Sequence, residues 1–210
     1  MKKIIAIILV TVLSVLALSA CSYLPVDYEL SLGVAVTEAE GKTTETYCAL
    51  LTDASGRIVL CRIDSTDFSP IGEGTKAPLS KKALGDDYNM MAYTGGKAVG
   101  EWYEQAAYYE RALVGKTLDE AMLLVTGADE LKVGCTIDVT DFAKAVKAAF
   151  ESESKEKLSH FGDVSIALTA GAAIVDGSYV SSVSAVALYR AYTLADVISI
   201  SKVTVTPKAA

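Results

Sequence analysis

The sequence has few of the side chains from which metal and catalytic centres are built. Its 210 residues include one histidine and four cysteines. Zinc sites draw most of their ligands from these two residue types, so the chain has few residues that could form a zinc site. The chain also contains no Gly-x-Ser-x-Gly elbow, Walker A loop, Cys-x-x-Cys pair or His-Glu-x-x-His motif. The composition therefore gives no support to the enzyme classes that these motifs mark.

Positive charge is also scarce. Lys and Arg number 19 against 26 Asp and Glu, which gives a formal net charge of −7. Because nucleic acids attract proteins through Lys and Arg, this balance argues against a nucleic-acid partner. Hydrophobic residues make up 51% of the chain, which is enough apolar surface to exclude disorder throughout. The length suits one large domain or two small ones.

The N-terminus has the order of a bacterial export signal. The basic stretch Met1-Lys2-Lys3 precedes an almost unbroken apolar run over residues 4–18, which is too short for a comfortable membrane span. The run ends in Leu18-Ser19-Ala20-Cys21, which resembles the lipobox of bacterial lipoproteins. The resemblance implies cleavage before Cys21 and attachment of acyl chains such as palmitate, two or more of which hold a protein on a bilayer. The alternative is a conventional signal peptide with an incidental cysteine.

Cleavage of residues 1–20 would define both the mature chain and its location. It would leave 190 of the 210 residues, and the loss of Lys2 and Lys3 would lower the formal charge from −7 to −9. Residues 21–28 would then form a lipid-anchored tether, with Ser22 rather than Asp at the second position. We therefore expect an extracytoplasmic protein on the cell membrane, or on the outer membrane where the bacterium has one.

Hydrophobic alternation predicts strands on both sides of a helical segment. A four-residue hairpin loop is expected at residues 53–56, where Gly56 supplies a positive φ. Helices are expected over 97–113, 117–125, with a capping box from Thr117 to Glu120, and 140–150. The remaining segments are expected to be strands at 29–39, 43–52, 57–63, 133–139, 163–175, 181–191 and 197–206, with an irregular connection over 64–84.

These elements predict an α+β fold in which an antiparallel β-sheet carries a helical insertion. We expect one α+β domain over residues 29–150, a linker or helix end over 151–162, and a C-terminal β half-repeat over 163–210. The half-repeat rests on a weak internal similarity. It either completes the first sheet or packs beside it. The similarity aligns residues 29–34 with 163–168, 48–50 with 186–188, and 58–61 with 197–200.

Three central blocks carry a family resemblance. Residues 81–90, 100–105 and 114–117 resemble a group of bacterial exported proteins that is similar to small extracytoplasmic FMN-binding domains. Those domains typically show Asp-x-x-[Ser/Thr]-Gly-Ala-[Thr/Ser], whose last residue can carry FMN through a phosphoester. In the matching stretch, residues 130–136, Gly134 and Thr136 agree with this motif. The resemblance implies an FMN-binding-domain-like fold and FMN as the cofactor.

The resemblance also suggests where FMN would lie. Thr136 would be nearest the phosphate, and Gly134 would let the backbone approach closely. Trp102 or Tyr103 would supply a flat apolar wall for the ring. The alternative is that Gly134 and Thr136 only make a turn, while the aromatic residues belong to the core.

Other candidate residues also have two interpretations. Asp86, Asp87 and Glu101 lie near Tyr88 in the sequence; they suit acid–base chemistry or Ca²⁺ binding, or else they cap helices and stay solvated. The aromatic residues suit a ligand-binding wall or the core and its rim. They are Tyr88, Trp102, Tyr103, Tyr108 and Tyr109. His160, which has no motif around it, is expected on the surface.

Two cysteines are expected to face each other across the second and third strands. A four-residue loop would pair Thr52 with Arg57, and the same register pairs Cys48 with Cys61, although a bulge would offset them by one residue. A disulfide and a pair of free buried thiols both fit this placement.

The sequence therefore predicts a membrane-anchored extracytoplasmic lipoprotein whose role stays open between classes. In one, the chain binds FMN or a related small ligand in envelope electron transfer. In the other, it is a non-enzymatic scaffold or interaction protein with an envelope partner and no cofactor. A small-ligand capture protein for a transporter is a third class. No residue is assigned a catalytic or metal-binding role.

Overall fold

The computed structural model describes residues 26–39, 41–160, 163–191 and 194–206. Seven strands form two antiparallel sheets, and the helices lie between the third and fourth strands in sequence. The fold is therefore α+β with antiparallel sheets. The predicted signal, Cys21 and the tether before Val26 lie outside the described residues. Within those residues, no helix combines the length and apolar character needed to cross a bilayer.

The first sheet has the strand order β3–β2–β1–β4. Its strands are β1 (Val26–Ala39), β2 (Lys42–Asp53), β3 (Ile58–Phe68) and β4 (Lys155–His160). The irregular connection predicted from residue 64 is wrong up to Phe68, because the polar residues there pair with the first half of β2 and hide the strand pattern. The linker or helix end predicted over 151–162 contains β4, which pairs with the start of β1.

The second sheet has the order β5–β6–β7 and packs face to face on the first. Its strands are β5 (Val164–Val175), β6 (Ser178–Ala191) and β7 (Leu194–Thr206). The C-terminal strands thus form their own sheet rather than completing the first one. The core between the sheets contains Leu30, Leu32, Tyr47, Ala49, Leu51, Leu158, Ile166, Val183, Ala185 and Ala187.

The first hairpins of the two sheets share a register at the positions that the internal similarity aligns. That similarity matches Gly33 with Ala167 and Cys48 with Val186. In the structure, Gly33 pairs with Cys48, and Ala167 pairs with Val186. The hairpins β1–β2 and β5–β6 are therefore equivalent at these positions, whereas the second hairpins differ in register.

Two helices of the helical segment are shorter than the sequence predicts. The helices are α1 (Lys81–Leu84), a 3₁₀ turn (Gly85–Tyr88), α2 (Met90–Tyr93), α3 (Trp102–Leu113), α4 (Leu118–Ala121) and α5 (Thr140–Phe150). The capping box that opens α4 is present. The strand predicted over 133–139 is wrong, because the backbone N–H groups of Gly134 and Cys135 both donate to the Leu131 oxygen and hold the chain in a turn.

Helices α3 and α5 cover the face of the first sheet opposite the second sheet. The core under them contains Cys48, Leu50, Cys61, Ile63, Trp102, Ala106, Tyr109, Leu113, Phe142, Ala145, Val146 and Ala149. Helix α5 lies directly on the β1 backbone at Gly33. A Cβ atom at Gly33 would lie 2.2 Å from the Ala149 nitrogen and 2.3 Å from the Ala145 oxygen. Only glycine permits this approach.

The outer edge of β3 is covered by the helical segment. The Ile58 N–H donates to the Lys116 oxygen at 2.9 Å, and the Gly115 N–H donates to the Ile58 oxygen at 2.7 Å. Farther along, the Ile63 N–H donates to Glu110 Oε1 at 2.7 Å. Because these backbone groups are occupied, β3 does not present a free edge to another strand there.

The two ends of the first sheet are named here after the first and last residues of β1. At the Val26 end, β1 begins, β2 ends at Asp53 and β3 begins at Ile58. At the Ala39 end, β1 ends, β2 begins at Lys42 and β3 ends at Phe68. The described chain thus enters the fold at the Val26 end.

Candidate functional site

The space beside Gly134 is filled. A Cβ atom there would lie 2.1 Å from Cδ2 of the Tyr108 ring, so the missing side chain accommodates that ring. The Tyr108 hydroxyl also donates to the Glu130 backbone oxygen at 3.3 Å. Close approach at Gly134 therefore serves internal packing in this structure, in place of the phosphate that the FMN resemblance implies.

The polar groups of Thr136 bond to a buried glutamine on α3. Gln105 Oε1 accepts the Thr136 N–H at 2.9 Å, the Thr136 hydroxyl at 3.3 Å and the Ile137 N–H at 3.3 Å. Its amide nitrogen donates to the Gly100 oxygen at 2.8 Å. The polar groups of Thr136, the residue expected nearest the FMN phosphate, thus have a partner within the chain. Sequence reasoning missed Gln105, whose signal is a polar residue on the apolar face of α3.

Trp102 and Tyr103 do not form one wall. Trp102 is buried in the core, 5.5 Å from the Phe142 ring in an edge-on contact at 87°. Tyr103 donates its hydroxyl to Asp86 Oδ1 at 3.1 Å, and that hydrogen bond raises the pKa of Tyr103. Consecutive helical residues point in directions about 100° apart, which separates the two rings.

The carboxylates of the central segment have structural partners. Glu101 accepts the N–H groups of Met90 at 2.8 Å and Met91 at 3.1 Å, and so caps α2. Asp86 accepts the Tyr103 hydroxyl. In the part of the chain that the structure describes, no group of three or more His, Cys, Asp or Glu residues is placed to hold a metal ion. The side chain of His160 lies outside that part.

Cys48 and Cys61 are diagonal neighbours. The direct pairing predicted for them is wrong, since Cys48 pairs with Ile63 and Cys61 pairs with Leu50. The cause is two offsets of one residue each: Thr52 pairs with Ile58 rather than with Arg57, and the register shifts once more between Leu51 and Thr52. The two Sγ atoms are nevertheless 3.7 Å apart, as buried free thiols. Burial is the main reason that the pKa of the Cys61 thiol is raised well above its ordinary value.

Tyr109 lies in the same core cluster with an unsatisfied hydroxyl. The ring is fully buried, and among the described side chains its hydroxyl is a buried polar group without a hydrogen-bond partner. Burial raises the pKa of this hydroxyl. Tyr47, which is equally buried between the sheets, donates its hydroxyl to Glu45 Oε2 at 2.8 Å.

This contrast predicts opposite results for the same substitution. Tyr109→Phe is expected to leave the free energy of unfolding unchanged or to raise it by about 1 kcal/mol, because it removes an unpaired buried hydroxyl. Tyr47→Phe is expected to lower it by about 1–3 kcal/mol, because it leaves Glu45 without this donor. Urea unfolding of both variants measures the difference. Equal destabilisation by the two substitutions would contradict the assignment at Tyr109.

An open cavity of about 750 Å³ lies at the Ala39 end. We call it the tyrosine cavity; it is lined by Lys42, Asp67, Tyr88, Asn89, Met90, Ala92, Tyr93 and Thr94. Asn89 adopts a left-handed conformation, with φ at 59°, between the 3₁₀ turn and α2. That turn brings Tyr88 and Tyr93 to the same cavity. Tyr93 is 92% exposed.

A charged network supports one wall of the tyrosine cavity. Lys81 Nζ lies 3.1 Å from Asp67 Oδ1 and 5.4 Å from the centre of the Tyr88 ring. Asp67 also accepts the Thr44 hydroxyl at 2.9 Å. The lining of the tyrosine cavity therefore combines aromatic surface with carboxylate, amide and ammonium groups. This combination suits non-covalent recognition. Cys, His and Ser do not occur among the described lining residues.

Two further cavities lie at the Val26 end. One, of about 610 Å³, is lined by residues that include Asp27, Ala54, Phe150 and Lys157. The other, of about 530 Å³, adjoins Arg57 and residues of the α3–α4 connection. Arg57 joins the hairpin loop to that connection, since its guanidinium lies 2.9 Å from Glu120 Oε2.

Of these three cavities, the tyrosine cavity lies at the Ala39 end and the other two lie at the Val26 end. None of the three cavities is lined by Gly134, Thr136, Trp102 or Tyr103 among their described residues. Comparison with known proteins finds no matching family model, no matching curated protein and no matching solved structure.

Proposed function

We propose that the chain is a lipid-anchored extracytoplasmic binding protein that carries out no chemistry of its own. Cys21 is the anchor, and the tyrosine cavity is the surface that meets a ligand or an envelope partner. The observation that carries the proposal is the placement of the cavity at the end of the sheet opposite to the one where the chain enters.

The reach of the tether supports this orientation. Only residues 22–25 separate Cys21 from Val26. At no more than about 3.6 Å per residue, they keep the Cα atom of Val26 within about 18 Å of the Cα atom of Cys21. Strand β1 has 14 residues, and at roughly 3.3 Å per residue it spans about 45 Å to the Ala39 end. An anchor at Cys21 therefore favours a membrane-facing Val26 end and a tyrosine cavity that points into the medium.

The lining of the cavity supports binding without catalysis. Tyr88 and Tyr93 offer apolar ring faces, while Lys42, Asp67 and Asn89 offer charge and hydrogen bonds. Such a lining suits an occupant with one apolar face and several polar groups. Asp67 is already paired with Lys81. This ion pair stabilises the wall of the cavity, and we assign Asp67 no role in proton transfer.

The anchor is tested by replacing Cys21. Cys21→Ala removes the only sulfur that the lipobox places at the cleavage site, so we expect an uncleaved precursor or a protein that leaves the membrane fraction. Ser22→Ala is the matched control, since it changes the neighbouring residue and keeps the lipobox. Fractionation and the mass of the N-terminal peptide are the measurements. A Cys21→Ala protein that stays with membranes and migrates like the parent would refute the anchor.

Flavin binding in envelope electron transfer, with the FMN-binding-domain-like fold it implies, stays a prediction of the resemblance. The packing of Gly134 on Tyr108 and the pairing of Thr136 with Gln105 give it no support. The visible absorbance of the purified full chain and the mass of its Thr136 peptide test it. A bound flavin or an FMN adduct would favour this function over the non-enzymatic one.

A further inference from the structure

We propose that Cys48 and Cys61 form a disulfide bond in the exported protein, made before the helical segment covers them. The inference rests on the proposed extracytoplasmic location, because oxidising compartments are where such bonds form and persist. It concerns a covalent link inside the fold, which neither the anchor nor the tyrosine cavity requires.

The geometry brings the two sulfurs into contact. Both side chains point from the β2–β3 hairpin toward α3 and α5, and their Sγ atoms are 3.7 Å apart. A disulfide needs about 2.05 Å between the sulfurs and Cα atoms within about 6.8 Å, so the sulfurs must close by roughly 1.7 Å. Because diagonal neighbours on adjacent antiparallel strands lie about 7–8 Å apart, the bond also draws the two strands slightly together. Their hydrogen-bond contact already excludes other atoms from between them. Cys135, the third described cysteine, is buried in the same core cluster and has no such contact with either of them among the described residues.

The bond follows by thiol–disulfide exchange with a protein disulfide of an extracytoplasmic oxidoreductase. One cysteine loses its proton, and its thiolate attacks a sulfur of the oxidant, which forms a mixed disulfide and releases one oxidant thiolate. The second cysteine loses its proton and attacks the mixed disulfide at the first cysteine's sulfur. That step releases the second oxidant thiolate. The chain thus loses two protons and two electrons, and the oxidant becomes a dithiol.

The order of folding decides when this can happen. In the folded chain Cys48 and Cys61 are 0% and 1% exposed, so a protein oxidant cannot reach them. The hairpin that carries them is local in sequence and precedes α3 and α5 in the chain. Local hairpins close with little loss of chain entropy and form readily before distant elements dock. The sulfurs therefore meet the oxidant first, and the helices seal the bond afterwards.

Peptide mapping of the full chain purified from its native host tests the bond directly. The protein is denatured with an alkylating reagent and without a reductant. We expect Cys48 and Cys61 to escape alkylation and to appear as linked peptides lighter by two hydrogen atoms than the two thiols. Cys135 should be alkylated and serves as the internal control. Alkylation of Cys48 and Cys61 to the same extent as Cys135 would overturn the proposal.

The same map separates this proposal from the anchor. An acylated Cys21 peptide together with alkylated Cys48 and Cys61 overturns the disulfide alone. A Cys21 peptide that retains residues 1–20, together with alkylated Cys48 and Cys61, overturns the disulfide and the anchor together. An acylated Cys21 with linked Cys48 and Cys61 supports both.

Reduction of the native protein tests the sealing, and it needs no variant that could fail to fold. A small thiol reductant should cleave the bond at least about 100-fold more slowly in the native protein than in urea, because it must wait for the core to open. Equal rates would overturn the claim that the helices close over a bond already made. Cys135→Ser should leave the linked peptides in place, whereas their loss in this variant would mean that Cys135 takes part.

Discussion

Gly33→Ala is expected to lower the free energy of unfolding by more than about 3 kcal/mol, or to prevent folding altogether. The added Cβ would meet the backbone of α5, at the Ala149 nitrogen and the Ala145 oxygen, within 2.3 Å. Neither atom belongs to a side chain that could rotate away. Relief therefore requires the whole of α5 to shift on β1, which opens the core under it.

Gly171→Ala is the matched control, because Gly171 is also a strand glycine. A Cβ there would find its nearest neighbour, Ser182 Oγ, at 3.8 Å, which is an ordinary contact. We expect the free energy of unfolding of this variant to lie within about 1 kcal/mol of that of the parent. Urea unfolding of both variants makes the comparison. Similar stability of the Gly33 and Gly171 variants would mean that α5 does not lie on β1 as described.

Glu110→Ala is expected to lower the free energy of unfolding by about 3 kcal/mol, because it leaves the partners of a buried carboxylate unpaired. Glu110 Oε1 accepts the Ile63 N–H at 2.7 Å and pairs with the Lys82 ammonium, and Arg62 lies 3.7 Å from Oε2. Its loss would leave the Ile63 N–H on the edge of β3 without this acceptor.

Glu110→Gln separates the charge from the hydrogen bond. The amide oxygen can still accept the Ile63 N–H. We therefore expect the free energy of unfolding of Glu110→Gln to lie between that of the parent and that of Glu110→Ala. Thermal and urea unfolding of the three proteins measure the ranking. A Glu110→Ala protein as stable as the parent would show that the edge of β3 does not depend on this carboxylate.

Much of the fold could be predicted because its strands alternate over long stretches. The hairpins β1–β2 and β5–β6 follow from that alternation. The extension of β3 to Phe68 could not be predicted, since residues 64–67 are polar although the first three of them are buried beside β2. The capping box at Thr117 was visible in the sequence, but the length of α4 was not. After Ala121 the chain continues in turns, in which the Leu124 N–H donates to the Ala121 oxygen, and the apolar pattern does not distinguish these turns from a helix.

The candidate site depends on contacts that no local pattern encodes. Gln105 reaches Thr136 across 31 residues of sequence, and Tyr108 fills the space at Gly134. The motif identifies Gly134 and Thr136 but does not indicate which side chains pack against them. The tyrosine cavity likewise joins the start of β2 and the end of β3 to the turn at Asn89. Its residues share no spacing in the sequence.

Two matched cysteine variants measure the orientation of the protein at the membrane. Ala54→Cys places a thiol at the Val26 end, and Ala92→Cys places one at the tyrosine cavity; both positions are exposed. Cys48, Cys61 and Cys135 are buried and should give little background. The full lipidated protein is held on phospholipid vesicles by its anchor and treated with a bulky polymer maleimide, before and after detergent.

We expect vesicles to slow the labelling of Ala54→Cys several-fold and to leave the labelling of Ala92→Cys unchanged, with both variants reacting equally fast in detergent. Vesicles that slow Ala92→Cys, or that slow neither variant, would contradict an anchored protein that holds its tyrosine cavity away from the membrane.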